Sequence, residues 1–124
     1  MSLRAGIDLT SVDAVRESIS THGQHYLDRV YTEREIKDCT GPGGVDPERL
    51  AARFAAKEAA LKVLRPGETG VSLREIEVVR SPAGWVELEL TGPAATLARD
   101  GGLREFAVSI THEAGYASAV VVAT

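Results

Sequence analysis

The sequence predicts an α+β fold, an antiparallel sheet packed on one long helix with short helices beside it. Three features carry that prediction. Residues 53–62 are rich in Ala, Leu, Lys, Glu and Arg and contain neither Gly nor Pro, the composition of strong helix. The second half of the chain falls into short apolar-alternating runs separated by Gly- and Pro-containing turns. The first half is punctuated by helix-capping residues at close intervals.

Taken in order, residues 3–9 read as a strand in which Ala5, Ile7 and Leu9 alternate with Arg4, Gly6 and Asp8. Asp8 then lies at its C-terminal end. Thr10 or Ser11 can N-cap a helix over 12–21, stopped by His22-Gly23. A short helix over 24–30 carries Tyr26, Leu27 and Val30. Thr32 to Glu35 form a capping box that opens another short helix, ending near Cys39. Gly41-Pro42-Gly43-Gly44 reads as a mobile connection. Asp46-Pro47 supplies an N-cap followed by proline at the first helical position. The long helix runs from there to about Leu64, where Pro66 and Gly67 end it. A strand over 71–79, a turn at Ser81 to Gly84 and a strand over 85–90 make a hairpin. Gly92-Pro93 opens a helix to about Arg99, closed by Gly101-Gly102. Phe106, Val108 and Ile110 mark the next strand. His112 to Gly115 turn, and 116–123 form the last strand.

Composition narrows the function. A chain of 124 residues implies one domain, residues 1–124. Its 44% hydrophobic and 26% charged content is ordinary for a globular protein, and with only 5% aromatic residues the core is expected to be aliphatic. The net charge of −4 argues against a nucleic-acid partner, whose footprint is basic. Cys39 is the lone cysteine, so no intrachain disulfide can form and a reducing, cytoplasmic setting is expected. The opening residues lack the apolar region of a secretory signal. No run approaches the ~20 apolar residues of a membrane span.

The candidate chemistry centres on residues 53–62. Leu50, Phe54, Leu61 and Leu64 form an apolar stripe on a helical wheel. Lys57 projects from within it, and Glu58 and Lys62 border it. Charges placed there suit a helix packed on several sides, with polar groups aimed into a partly enclosed site. Asp8 and Glu58 could share a magnesium ion, which often takes only one or two carboxylates. Equally, Asp8 could cap a turn while Glu58 pairs with Lys62 at i, i+4. Arg53, Lys57 and Lys62 could hold a polyphosphate, or their stems could run along apolar surface to water. His112 follows an alternating strand, within reach of a ligand or simply on the surface.

Gly6-Ile7-Asp8-Leu9, the stretch Arg53-Phe54-Ala55-Ala56-Lys57-Glu58-Ala59-Ala60-Leu61-Lys62, and Ser109-Ile110-Thr111-His112 together, in that order, resemble the 4′-phosphopantetheinyl transferases of the short holo-[acyl carrier protein] synthase type. Residues 26–35 resemble the second helical region of that type. The resemblance implies the transferase-like fold. It also implies Mg²⁺-dependent transfer of phosphopantetheine from coenzyme A to a serine of an apo acyl carrier protein, with adenosine 3′,5′-bisphosphate released. It assigns Asp8 and Glu58 to the metal. Glu58 also takes the serine proton, and Lys62 lies beside the pyrophosphate. Arg53 and His112 contact the nucleotide end, and Lys57 orients Glu58 or supports the site. It further implies a homotrimer with sites between subunits. Two positions depart from the family pattern. Ala14 stands where an arginine usually grips the carrier protein, and 65–70 replaces the usual Gly-Thr-Gly turn. A non-catalytic module that binds coenzyme A or a carrier protein is the alternative those departures raise.

Overall fold

Asp46 sets the start of the element on which the others pack. The computed structural model describes residues 2–124. In it the Asp46 carboxylate accepts from the Glu48 amide at 3.0 Å, Pro47 occupies the first helical turn, and α4 (Pro47–Leu64) runs for 18 residues. Arg65 ends the helix in the left-handed region at φ 52°, one residue ahead of the expected Pro66 stop. Ala51, Ala52, Ala55, Ala56, Ala59 and Ala60 are all buried, so the helix is covered on several sides. Small side chains allow such close approach. Phe54 and Leu61, expected in the buried stripe, lie at the half-exposed edge that also carries Glu58 and Lys62.

One face of α4 is covered by a three-stranded antiparallel sheet. Its strands are β1 (Arg4–Ser11), β6 (Phe106–Glu113) and β7 (Tyr116–Ala123), in the order β1-β7-β6. The register sets Ile7 opposite Val120, Asp8 opposite Ala119, and Ala117 opposite His112. The closest approach is at Gly6: a Cβ added there would overlap the Ala59 carbonyl oxygen and sit 3.2 Å from the Lys62 Cβ. Only glycine lets β1 lie this near the helix.

The alternation of β1 places Arg4, Gly6, Asp8 and Thr10 toward the helix and its apolar residues outward. Ile7 is 65% and Leu9 66% exposed, and Val120 and Val122 of β7 share that outer face. Asp8 therefore lies within β1 rather than at its end, because β1 continues to Ser11.

The N-terminal helices α1 (Val12–His22), α2 (Gln24–Val30) and α3 (Glu33–Asp38) pack over the first turns of α4 around Leu27, Tyr31 and Leu50. Ser11 rather than Thr10 caps α1, accepting from the Ala14 amide. Thr32 and Glu35 form both bonds of the capping box. The 41–44 segment is no mobile link. It turns a tight hairpin between β2 (Thr40–Gly41) and β3 (Gly44–Val45), with Gly44 at φ 99°.

The 71–79 strand is shorter than expected. Ser72 caps a 3₁₀ turn at Leu73–Glu75, and β4 covers Ile76–Arg80. It pairs with β5 (Val86–Leu90) as the expected hairpin, and α5 (Gly92–Asp100) follows. His112 and Glu113 belong to β6; the turn is Ala114-Gly115 alone.

Candidate active site

Asp8, Glu58 and Lys62 meet along the seam between β1 and α4. Asp8 Oδ2 accepts from Thr10 Oγ1 at 2.8 Å, and the Asp8 carbonyl accepts from Ser118 Oγ at 3.0 Å. Lys62 Nζ donates to the Ile7 carbonyl at 2.6 Å and lies 3.6 Å from Asp8 Oδ1. Glu58 sits one turn before Lys62 on the same helix edge. Burial raises its carboxyl pKa above the ordinary value, the Asp8 charge raises it further, and Lys62 opposes them. Two carboxylates thus repel each other beside a single ammonium.

A hard divalent cation suits this pair. Both donors are carboxylate oxygens, and a 2+ charge would relieve the repulsion that Lys62 only partly offsets. Among the described residues no group of three or more His, Cys, Asp or Glu side chains is placed to hold a metal. A cation held by Asp8 and Glu58 would therefore complete its shell with water and substrate oxygens, as magnesium commonly does.

Arg53 and His112 occupy a second place, a cleft of about 610 Å³ between the start of α4, β6 and the tip of the β4–β5 hairpin. Arg49, Arg80, Trp85 and Ile110 also line it. Arg53 is only 7% exposed, and its Nε has no hydrogen-bond partner among the described residues. A buried guanidinium donor left unbonded costs free energy unless something fills the cleft. His112 Nδ1 lies 3.5 Å from Glu48 Oε1. Arg53 and Glu58 are five positions apart, about 140° around the helix. Neither Asp8, Glu58 nor Lys62 lines this cleft. The fold accordingly gathers the five expected residues into two sets on α4 and does not enclose them in a single cavity.

Lys57 belongs to neither set. Its side chain has no exposure and pairs with Glu35 at 2.6 Å. Its Nζ also donates to the Leu73 and Ile76 carbonyls at 2.9 and 3.0 Å. It ties α4 to α3 and to the segment entering β4; of the two expected roles, orienting Glu58 or supporting the site, its contacts are with Glu35, Leu73 and Ile76 rather than with Glu58. Helical spacing located Lys57 on a packed side but gave no hint of its partner, since Glu35 reads as a capping-box residue.

Arg49, Arg80 and Trp85 were missed as cleft residues. Arg80 and Trp85 reach it only through the hairpin fold. An isolated tryptophan alternating with glutamates on the exposed face of a strand was the one available signal. Ala14 and Arg65 are both exposed, and Arg16 is paired with Asp13 on α1.

This chain resembles known proteins over nearly its whole length. A Koribacter versatilis holo-[acyl-carrier-protein] synthase is 40% identical, with 98% of each sequence covered. A Chloroflexus aggregans protein of the same name is 42% identical, covering 95% of this chain and 92% of its own. Among solved structures, a Chronobacterium ammoniagenes ACPS–CoA complex superposes with TM-score 0.85 at 30% identity, covering 100% of this chain and 98% of that one. A Helicobacter pylori holo-[acyl-carrier-protein] synthase in complex with coenzyme A superposes with TM-score 0.81 at 26% identity, covering 98% and 100%. The family model matches residues 4–120, and the chain belongs to the 4′-phosphopantetheinyl transferase superfamily.

Proposed function

We propose that this chain is a holo-[acyl carrier protein] synthase, with residues 1–124 acting as one transferase domain. It moves 4′-phosphopantetheine from coenzyme A to a serine of an apo acyl carrier protein. The observation that carries this reading is the Asp8–Lys62–Glu58 cluster in a member of this superfamily. The serine oxygen forms a bond to the β-phosphorus, the bond to the bridging oxygen breaks, and adenosine 3′,5′-bisphosphate leaves. Such transfers depend mostly on positioning and charge stabilisation.

Asp8 and Glu58 would hold Mg²⁺, which when bound supplies charge neutralisation at the pyrophosphate. Lys62 is fixed by the Ile7 carbonyl with its ammonium beside the cluster, ready for a phosphate oxygen. Glu58, whose burial raises its carboxyl pKa, accepts the serine proton. Arg53 and His112 grip the nucleotide end; the unpartnered Arg53 Nε supports that role.

A homotrimer forms part of this proposal. Leu3, Ile7, Leu9, Tyr116, Val120 and Val122 are exposed large apolar residues, mostly on the outer face of the β1–β7 pair. Apolar patches of this kind mark interfaces. Assembly through that face would let one subunit's cleft serve another's carboxylates, joining the two sets that one chain keeps apart. Among the described residues no helix is long and apolar enough to cross a membrane. The buried, unpaired Cys39 supports a cytoplasmic setting.

Incubation with coenzyme A, Mg²⁺ and several apo carrier proteins tests the reading. Intact-mass spectrometry should show one phosphopantetheine added to at least one of them. No gain on any carrier, while a known synthase modifies the same samples, would refute it.

A further inference from the structure

Because Ser11 caps α1, the Thr10 hydroxyl is left to another partner. Thr10 points toward α4 and is only 7% exposed, so its hydroxyl must find a hydrogen bond inside the protein. The residue opposite it on β7 is Ala117, which is fully buried and has no polar side-chain atom. The hydroxyl turns instead along its own strand, where residues two apart share a face. Thr10 Oγ1 donates to Asp8 Oδ2 at 2.8 Å. A β-branched side chain is stiff at its first torsion, so the hydroxyl stays where it is.

A second hydroxyl acts on the backbone of the same residue. Ser118 Oγ, from β7, donates to the Asp8 carbonyl at 3.0 Å. Asp8 is thus fixed at its main chain from the neighbouring strand and at one carboxylate oxygen from its own. Its two carboxylate oxygens are not equivalent. Oδ2 is taken by Thr10, whereas Oδ1 lies 3.6 Å from the ammonium of Lys62, on the helix edge that also carries Glu58.

That inequality bears on the choice of cation. Calcium accepts carboxylates through one or both oxygens in a flexible shell, whereas magnesium demands near-octahedral geometry and few protein ligands. A carboxylate whose second oxygen is held by a hydroxyl offers one oxygen at a fixed place. This suits magnesium and denies calcium a two-oxygen grip.

We propose that Thr10 is a positioning residue that sets the ion preference of the Asp8–Glu58 pair. By holding Asp8 Oδ2 it leaves Oδ1 as the one oxygen Asp8 presents, which favours Mg²⁺ over Ca²⁺. This inference rests on the transferase reading above and deepens it by naming what selects the metal.

Manganese(II) is the probe, because its free form is counted by electron paramagnetic resonance. The full-length protein is loaded with it at saturating coenzyme A and without carrier protein, so that no transfer occurs. Mg²⁺ and Ca²⁺ are then titrated in separately to displace it. From the wild-type protein Mg²⁺ should displace the probe at the lower concentration. Thr10→Val should weaken Mg²⁺ about tenfold, as expected when the partner behind a metal ligand is lost. It should weaken Ca²⁺ less, so the preference shrinks. Thr10→Ser keeps the hydroxyl and should restore most of the preference. Thr10→Ala lacks the hydroxyl and adds no bulk, so it should match Thr10→Val and decides the matter if that variant misfolds. Circular dichroism checks each protein.

Suppose the wild-type protein transfers in Mg²⁺, but the folded hydroxyl-free variants keep its Mg²⁺ affinity or lose Mg²⁺ and Ca²⁺ affinity by the same factor. The inference then fails and the transferase reading stands. A wild-type protein without preference between the two ions overturns it as well. So does a Thr10→Ser protein as impaired as Thr10→Val, because the hydroxyl would not be the cause. If the wild-type protein neither binds a divalent ion beside coenzyme A nor transfers, the transferase reading itself fails and this inference falls with it.

Discussion

Lys57 Nζ lies 2.6 Å from Glu35 Oε1, with both side chains fully removed from solvent. Glu35 bridges three elements: Oε1 accepts from the Thr32 amide at 2.8 Å and Oε2 from the Val78 amide at 2.8 Å. Lys57 satisfies two carbonyls at the start of β4 and lies 5.8 Å over the Tyr31 ring. Burial pulls the Lys57 pKa down while Glu35 holds it up. The pair is thus an internal clamp joining α3, α4 and β4.

Removing one member leaves the other charge buried and unpaired. Lys57→Ala or Glu35→Gln should each lower the unfolding free energy by about 3–5 kcal/mol. Combining Lys57→Ala with Glu35→Gln should cost less than the sum of the two singles, because no lone charge remains. Urea unfolding of the four proteins checks this; additive losses would show that the two residues are not coupled.

At Gly6 a methyl group has nowhere to go. Gly6→Ala should push β1 off α4 and cost about 1–3 kcal/mol. The same displacement would carry Asp8 away from Lys62, so the variant should lose more transfer activity than its stability loss explains. Activity measured well below the melting temperature separates the two effects. Wild-type turnover in a correctly folded Gly6→Ala protein would contradict this account of the seam.

Glu58 should titrate above the ordinary glutamate value of 4.5, first because it is buried and then because Asp8 is near. With the folded-state pKa raised, its contribution to stability is fully present below the unfolded value and is lost as pH rises through the folded value. NMR titration of the Glu58 carboxyl carbon in metal-free protein checks the shift. Asp8→Asn should lower the midpoint but leave it above 4.5, because the burial remains. An unchanged midpoint in Asp8→Asn would show that the two carboxylates do not interact.

The outer face of β1 and β7 predicts self-association. Val120→Asp places a charge opposite Ile7 in the middle of that apolar patch. Analytical ultracentrifugation should show the wild-type protein as a trimer and the variant as a smaller species with reduced activity. A wild-type monomer, or a variant of unchanged mass, would rule out assembly through this face.

Local signals in the sequence located most elements closely. Asp46-Pro47, the Thr32–Glu35 box and the Gly101-Gly102 stop act within a few residues, so their outcome depends little on the remaining fold. The misses have tertiary causes. Gly41 to Gly44 read as loose because nothing local reveals the pairing of Thr40 with Val45. Residues 71–75 carry apolar residues at strand-like positions, but the Ser72 cap and the bond from the Thr91 amide to the Glu75 carbonyl turn the backbone instead.

For the site, helical spacing placed Glu58 and Lys62 on one edge. Their meeting with Asp8 depends on Gly6, whose importance appears only when Ala59 lies against it. The cleft was less legible still. Arg53 and His112 join Arg80 and Trp85 there through contacts between separate elements that no sequence interval encodes.

The proposed transfer rests on the Asp8–Glu58–Lys62 cluster. The most direct test is the rate of holo-carrier formation by Glu58→Gln at saturating coenzyme A and Mg²⁺, with folding verified. A fall of about a hundredfold or more is expected, since the variant loses both a proton acceptor and a carboxylate charge. Turnover within about threefold of wild type, well short of the loss expected for a missing proton acceptor, would contradict it.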